Sequence, residues 1–112
     1  MVSELAQKAC VPCRGDVPPL GPEKVEPLLQ ELDNWTVEQE YHLTRTFKFR
    51  DFGEALAFVN RVGAIAEQEN HHPDLHLAWG RVRVEIWTHK IKGLTESDFI
   101  FAAKCDAAFL RP

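Results

Sequence analysis

Asp74-Leu75-His76-Leu77-Ala78-Trp79-Gly80-Arg81-Val82-Arg83-Val84-Glu85-Ile86-Trp87 decides the fold. Leu75, Leu77 and Trp79 alternate with Asp74, His76 and Ala78; past Gly80, Val82, Val84 and Ile86 alternate with Arg81, Arg83, Glu85 and Trp87. Side chains on a strand point to opposite faces in turn, so two such runs about a glycine predict an antiparallel hairpin with one buried face. A turn centred on Gly80 would set His71 across from His89 and His72 across from Thr88.

Upstream, Asp51-Phe52-Gly53-Glu54 has the form of a capping box, with Asp51 as N-cap and Glu54 reaching back. Phe52, Ala55, Leu56, Val59, Val62, Gly63 and Ala66 then recur at helical spacing, and a helix is expected to about Glu69. Asn70-His71-His72-Pro73 stops it, since proline disfavours helical geometry at the residue before it. Before this helix, Trp35 to Phe49 reads as two strands with a break near Gln39. Tyr41, Leu43, Phe47 and Phe49 form the apolar side, which Arg45 interrupts. Gly21-Pro22 opens an earlier helix with Val25, Leu28, Leu29 and Leu32 as its apolar face and Asp33-Asn34 as its end. Gly93-Leu94-Thr95 forms a loop, and Thr95-x-x-Asp98 starts a last helix through Leu110.

The order helix, two strands, helix, two strands, helix predicts an α+β domain with a four-stranded antiparallel sheet and three helices on one face. The domain is expected over residues 22–112, after an irregular leader over 1–21 with a short helical turn near Glu4–Lys8. Charge is −4 from 13 basic and 17 acidic residues, which argues against direct nucleic-acid or anionic-membrane binding. No apolar run is long enough to cross a membrane, and no export signal is visible, so a cytoplasmic protein is expected. Cys10 and Cys13 have the spacing of half a zinc site or a redox pair, but Cys105 has no near partner, and the expected state is reduced thiols in a loose arm.

The chemistry resides in histidine. The hairpin and the preceding loop bring His71, His72 and His89 to one end of the sheet, with Asp98 close by in the first turn of the last helix. Imidazole titrates near neutrality, so one ring can donate a proton while a neighbour accepts one. Asp98 or Glu67 can hold a ring in one tautomer. Elimination of water needs this pair of roles, each contributing about 10²–10⁴-fold.

Glu67-x3-His71-His72-Pro73, then Trp79, Trp87-Thr88-His89 and Asp98, resembles the signature of the pterin-4a-carbinolamine dehydratases. The resemblance spans about residues 22–110 and takes in Arg45-x-Phe47-x-Phe49-x-Asp51-Phe52 and Gly93-Leu94-Thr95-Glu96-x-Asp98. It implies dehydration of 4a-hydroxytetrahydrobiopterin to quinonoid dihydropterin, recycling the cofactor of aromatic amino acid hydroxylases without a metal or prosthetic group. It implies dimers or tetramers, and a hydroxylase as a possible partner. By position, His71, His72 and His89 take the active-site histidines, with Asp98 and Glu67 supporting. Asn70, His71, His72, Trp87, Thr88, His89 and Lys90 match the pterin-contacting segments. His71 and His89 are expected as the acid/base pair and His72 as an orienting group.

Blander readings stand beside these. His71 and His72 suit a helix C-terminus, Asp98 a helix N-terminus, and Glu67 a solvated helix face. His42 and His76 read as strand-surface residues without a role, and either Trp79 or Trp87 could be core. A metallohydrolase would use His71, His72, His89 and Asp98 as ligands, though adjacent histidines on an extended segment diverge. Some members of the family also serve as dimerisation cofactors of a transcription factor, a protein-binding alternative compatible with the negative charge.

Overall fold

A computed structural model describes residues 4–10, 18–38 and 41–110. Along the chain run a 3-10 turn over Glu4–Gln7, α1 (Pro22–Gln30), β1 (Thr36–Glu38), β2 (His42–Lys48), α2 (Phe52–Glu69), β3 (Asp74–Ala78), β4 (Arg81–Ile86) and α3 (Glu96–Leu110). The strands form one antiparallel sheet in the order β1-β2-β4-β3, and the helices pack on one face of it, the α+β architecture expected.

Asp51 caps α2 as its sequence requires: its side chain accepts from the Glu54 amide at 2.9 Å. Glu54 reaches back one residue further than a capping box, to the Arg50 amide at 3.2 Å. Asn70 ends the helix in the left-handed conformation at φ 53°, a geometry asparagine tolerates, and the His71 amide donates to the Ala66 carbonyl at 3.2 Å. Chain direction therefore changes immediately before the histidine pair.

The buried stripe of α2 is Ala55, Phe58, Val62 and Ala66. Phe52 and Leu56, expected on the core face, are 44% and 41% exposed. Phe58 is the reason: its ring lies 4.6 Å from Phe47 and 5.2 Å from Phe49 and 6.0 Å from Phe109, and burying that aromatic cluster fixes the helix rotation. Leu43 and Phe47 of β2 and Val82, Val84 and Ile86 of β4 floor the same core. Helix α3 is buried almost all round over Phe99–Ala103, the pattern of a helix with neighbours on every side.

Arg45 stands on the apolar side without leaving a charge unpaired. Its Nη1 donates to Asp106 Oδ1 at 2.7 Å, and its guanidinium lies 4.2 Å from the Phe47 ring centre. Trp35 Nε1 donates to the same Asp106 oxygen at 2.8 Å.

The β3–β4 hairpin turns on two residues, Trp79 and Gly80, rather than on Gly80 alone, so Ala78 pairs with Arg81 and Asp74 with Glu85. This shifts the expected register by one and ends the ladder at Asp74, short of His71 and His72. The expected placement of His71 across from His89 is thus not made by strand pairing. Trp79, at the turn, is 68% exposed, and Trp87 is only partly buried; Trp35 is the indole of the core, at 5%.

The leading turn is built into this fold. Leu5 is 2% exposed, and Lys104 Nζ donates to the Ala6 carbonyl at 2.9 Å. Cys13 lies outside the described residues. Cys10 and Cys105 are free thiols. Burial, with Glu69 beside it, pushes the Cys10 thiol up to about 12, which leaves it a poor nucleophile at neutral pH.

Candidate active site

His71 emerges from the α2 terminus beside the first turn of α3. Its Nε2 lies 2.7 Å from Asp98 Oδ1, with the imidazole 11% exposed and the carboxylate fully enclosed. The other carboxylate oxygen, Oδ2, accepts from the Thr88 hydroxyl at 2.8 Å and from the Thr95 amide at 2.8 Å. Asp98 is thus both the carboxylate of a capping box at the head of α3 and the partner of a histidine. Because its oxygens act as acceptors, the imidazole Nε2 carries the proton, and Nδ1 is the nitrogen left to exchange one.

Thr88 connects this pair to the second segment. It is 3% exposed, and its hydroxyl also lies 3.2 Å from the Thr95 hydroxyl. The Thr88 amide donates to the Gly93 carbonyl at 2.9 Å, closing the loop that carries His89 and Lys90. Gly93 permits a close approach: a Cβ there would fall 2.5 Å from Pro19 Cβ, and the neighbouring Leu20 amide donates to the Leu94 carbonyl at 2.9 Å. Residues 19–20 therefore brace the loop from outside.

The remaining expected residues have separate settings. His72 Nε2 lies 2.6 Å from Glu67 Oε2, but the two side chains are 56% and 80% exposed, so this pair is screened by solvent. His89 and Lys90 are exposed, and the His89 ring lies 4.4 Å from the Trp87 indole. Asn70 is exposed in its left-handed cap. His71 is tied through Asp98 to Thr88, the residue before His89, while the His89 ring rests on Trp87 and the His72 ring pairs with Glu67 on the α2 side. Among the described residues, no three His, Cys, Asp or Glu side chains are grouped to hold one metal ion.

Sequence reasoning missed His42. It lies cross-strand from Trp87, one step beyond the Leu43–Ile86 pair, and its ring stacks on the indole at 4.0 Å and 8°. His42 Nδ1 donates to Glu85 Oε2 at 2.7 Å, with the side chains 13% and 12% exposed. Burial pushes the Glu85 carboxyl up, but hydrogen bonds from His42 and His76 and the nearby Arg83 charge outweigh it and leave the group below its ordinary 4.5. His76 is 58% exposed, as expected, and 3.5 Å from Glu85.

Comparison with known proteins gives this geometry its context. The family profile described as pterin 4 alpha carbinolamine dehydratase matches residues 18–108. A Rubrobacter xylanophilus protein provisionally named a pterin-4-alpha-carbinolamine dehydratase is 60% identical over 105 residues, covering 94% of this chain and 98% of that one. A Rickettsia bellii protein of the same provisional name is 55% identical over 103 residues, 91% of each chain. A Brucella melitensis crystal structure, described as a transcriptional coactivator/pterin dehydratase, superposes with a TM-score of 0.77 at 36% identity. That match covers 80% of this chain and 97% of the other. With its family profile matched over most of its length, this chain belongs to the pterin-4a-carbinolamine dehydratase family.

Proposed function

We propose that this protein dehydrates 4a-hydroxytetrahydrobiopterin to quinonoid dihydropterin by histidine acid/base catalysis. In that reaction the C4a hydroxyl leaves as water after gaining a proton, and the neighbouring ring nitrogen loses one as the C=N bond forms. Two protons balance the elimination, so the step as written needs no metal or prosthetic group. His71 and His89 are the acid/base pair, His72 orients the substrate, and Asp98 and Glu67 support the two ring systems. Asn70, Trp87, Thr88 and Lys90 complete the pterin-contacting set.

The observation that carries this reading is the His71–Asp98 contact of 2.7 Å at a carboxylate that also binds Thr88, next in sequence to His89. A buried carboxylate fixes the tautomer of an imidazole and favours its protonated form in the transition state. The direct test is decay of synthetic 4a-hydroxytetrahydrobiopterin with and without the protein. Acceleration supports the reading, and an unchanged decay rate removes it.

In this setting the product would return to an aromatic amino acid hydroxylase as recycled cofactor, in the cytoplasm. Residues 22–112 would carry the active-site residues, with residues 1–21 as a leader whose residues Leu5, Ala6 and Cys10 pack on the core. A homodimer or homotetramer is the expected assembly, supported by the apolar side chains of Phe52 and Leu56 on the outer side of α2. The description of the Brucella protein as a coactivator favours a second reading. In that reading the same fold binds another protein as a dimerisation cofactor, without touching nucleic acid itself, and a pull-down that survives His89→Ala would reveal it.

A further inference from the structure

Two imidazoles contact the Trp87 indole. The His42 ring lies 4.0 Å from it and nearly parallel, at 8°; the His89 ring lies 4.4 Å away at 32°. Among the described residues no ring contact joins His42 directly to His89, so Trp87 is the ring that links them. His42 meets Trp87 across the β2–β4 ladder, whereas His89 meets it from two residues along the chain.

The two imidazoles differ in how firmly they are held. His42 is 13% exposed at its side chain and bound to Glu85, which also accepts from Arg83 Nη1 at 3.2 Å. Arg83 Nη2 in turn donates to Glu38 Oε1 at 2.9 Å, and Tyr41 packs edge-on against His42 at 4.8 Å. His42 is thus anchored by three strands. His89 is exposed and rests on the indole.

We propose that His42 is a positioning residue for the dehydration: through Trp87 it fixes the ring plane of His89. The proposal rests on the dehydratase reading for its kinetic part and on ring geometry for the rest. An exposed histidine samples several rotamers, and a proton-transfer group that leaves its productive geometry contributes less. Docking the indole against an anchored ring removes that freedom through Trp87. The low-lying Glu85 carboxyl keeps an acceptor for His42 Nδ1 through the neutral range.

Two variants separate the ring from the hydrogen bond. His42→Phe keeps an aromatic face for Trp87 and loses the bond to Glu85; His42→Gln keeps a donor for Glu85 and loses the ring. The first readout is the chemical shift of the His89 ring protons, which the indole ring current moves upfield while the two rings stack. The second is kcat and KM on 4a-hydroxytetrahydrobiopterin. With His42→Gln, the His89 ring protons are expected to move toward their unstacked positions, and kcat to fall roughly tenfold with KM within about twofold. With His42→Phe, both are expected to stay near wild type. Wild-type His89 shifts in folded His42→Gln would overturn the proposal, as would moved shifts with unchanged kcat, or a His42→Phe protein that behaves like His42→Gln. Were wild type itself inactive on the pterin, the dehydratase reading would fall, and the ring-proton shifts alone would still decide whether His42 sets the His89 ring.

Discussion

Asp98 Oδ1 and His71 Nε2 lie 2.7 Å apart, on residues 27 positions separated in sequence, and the carboxylate is sealed from solvent. The contact exists because α2 ends at a left-handed Asn70 and α3 begins at Glu96, so two helix termini meet at one place. One oxygen, Oδ2, serves the N-terminus of α3; the other, Oδ1, is left available to chemistry at His71. Asp98→Asn keeps the shape and changes the polarity. The amide oxygen can still accept from Thr88 and Thr95, which turns the NH2 toward His71 and forces Nε2 to become an acceptor. With the tautomer reversed, kcat is expected to fall on the order of a hundredfold or more, with the circular dichroism spectrum unchanged.

Thr88→Val tests the other end of the same carboxylate. The substitution is close to isosteric and removes a hydroxyl that donates to Asp98 Oδ2 at 2.8 Å in a nearly solvent-free position. Losing that donor is expected to lower stability by about 1–3 kcal/mol, read as a drop in the urea midpoint. An unchanged urea midpoint would contradict this structural role of the Thr88 hydroxyl.

Glu85 gives the fold a pH dependence with a definite sign. Its folded carboxyl lies below its ordinary 4.5, so ionisation is easier in the folded protein than in the unfolded chain. The stability it contributes is present above the unfolded value and is lost as pH falls through the folded one. Wild type is therefore expected to lose stability on acidification more steeply than Glu85→Gln, whose curve should be flatter over that range. Urea midpoints of both proteins between pH 7 and the acid range, on the order of pH 3, check this.

Leu5→Ala asks whether the leading turn belongs to the folded unit. Leu5 is 2% exposed and lies in the main core cluster, so truncation is expected to cost roughly 2–5 kcal/mol, as for other buried leucines. A thermal midpoint equal to wild type would place residues 4–7 outside the cooperative fold.

The elements themselves were legible because each rests on local signals. Alternation in 74–87 marked the β3–β4 hairpin, and the Asp51 cap with Asn70 bounded α2. What failed depended on distant partners. The rotation of α2 turned on Phe58, whose place is set by Phe47 and Phe109 from other elements, and helical spacing alone favoured Phe52 and Leu56. The hairpin register slipped by one because alternation is equally well served by a turn on Gly80 or on Trp79 and Gly80. His42 looked like an ordinary outward residue of β2. Only the long-range pairing of β2 with β4 sets it against Trp87, and nothing in either segment alone announces that. Asp98 was legible twice over: as a cap from its spacing to Thr95, and as a carboxylate near the histidines from its place nine residues beyond His89.

The most direct test of the account is the decay rate of 4a-hydroxytetrahydrobiopterin in the presence of folded His71→Ala and His89→Ala proteins. Each variant is expected to accelerate decay at least about tenfold less than wild type, roughly 1.4 kcal/mol of barrier. Wild-type acceleration in both variants, with their folds intact, would contradict it.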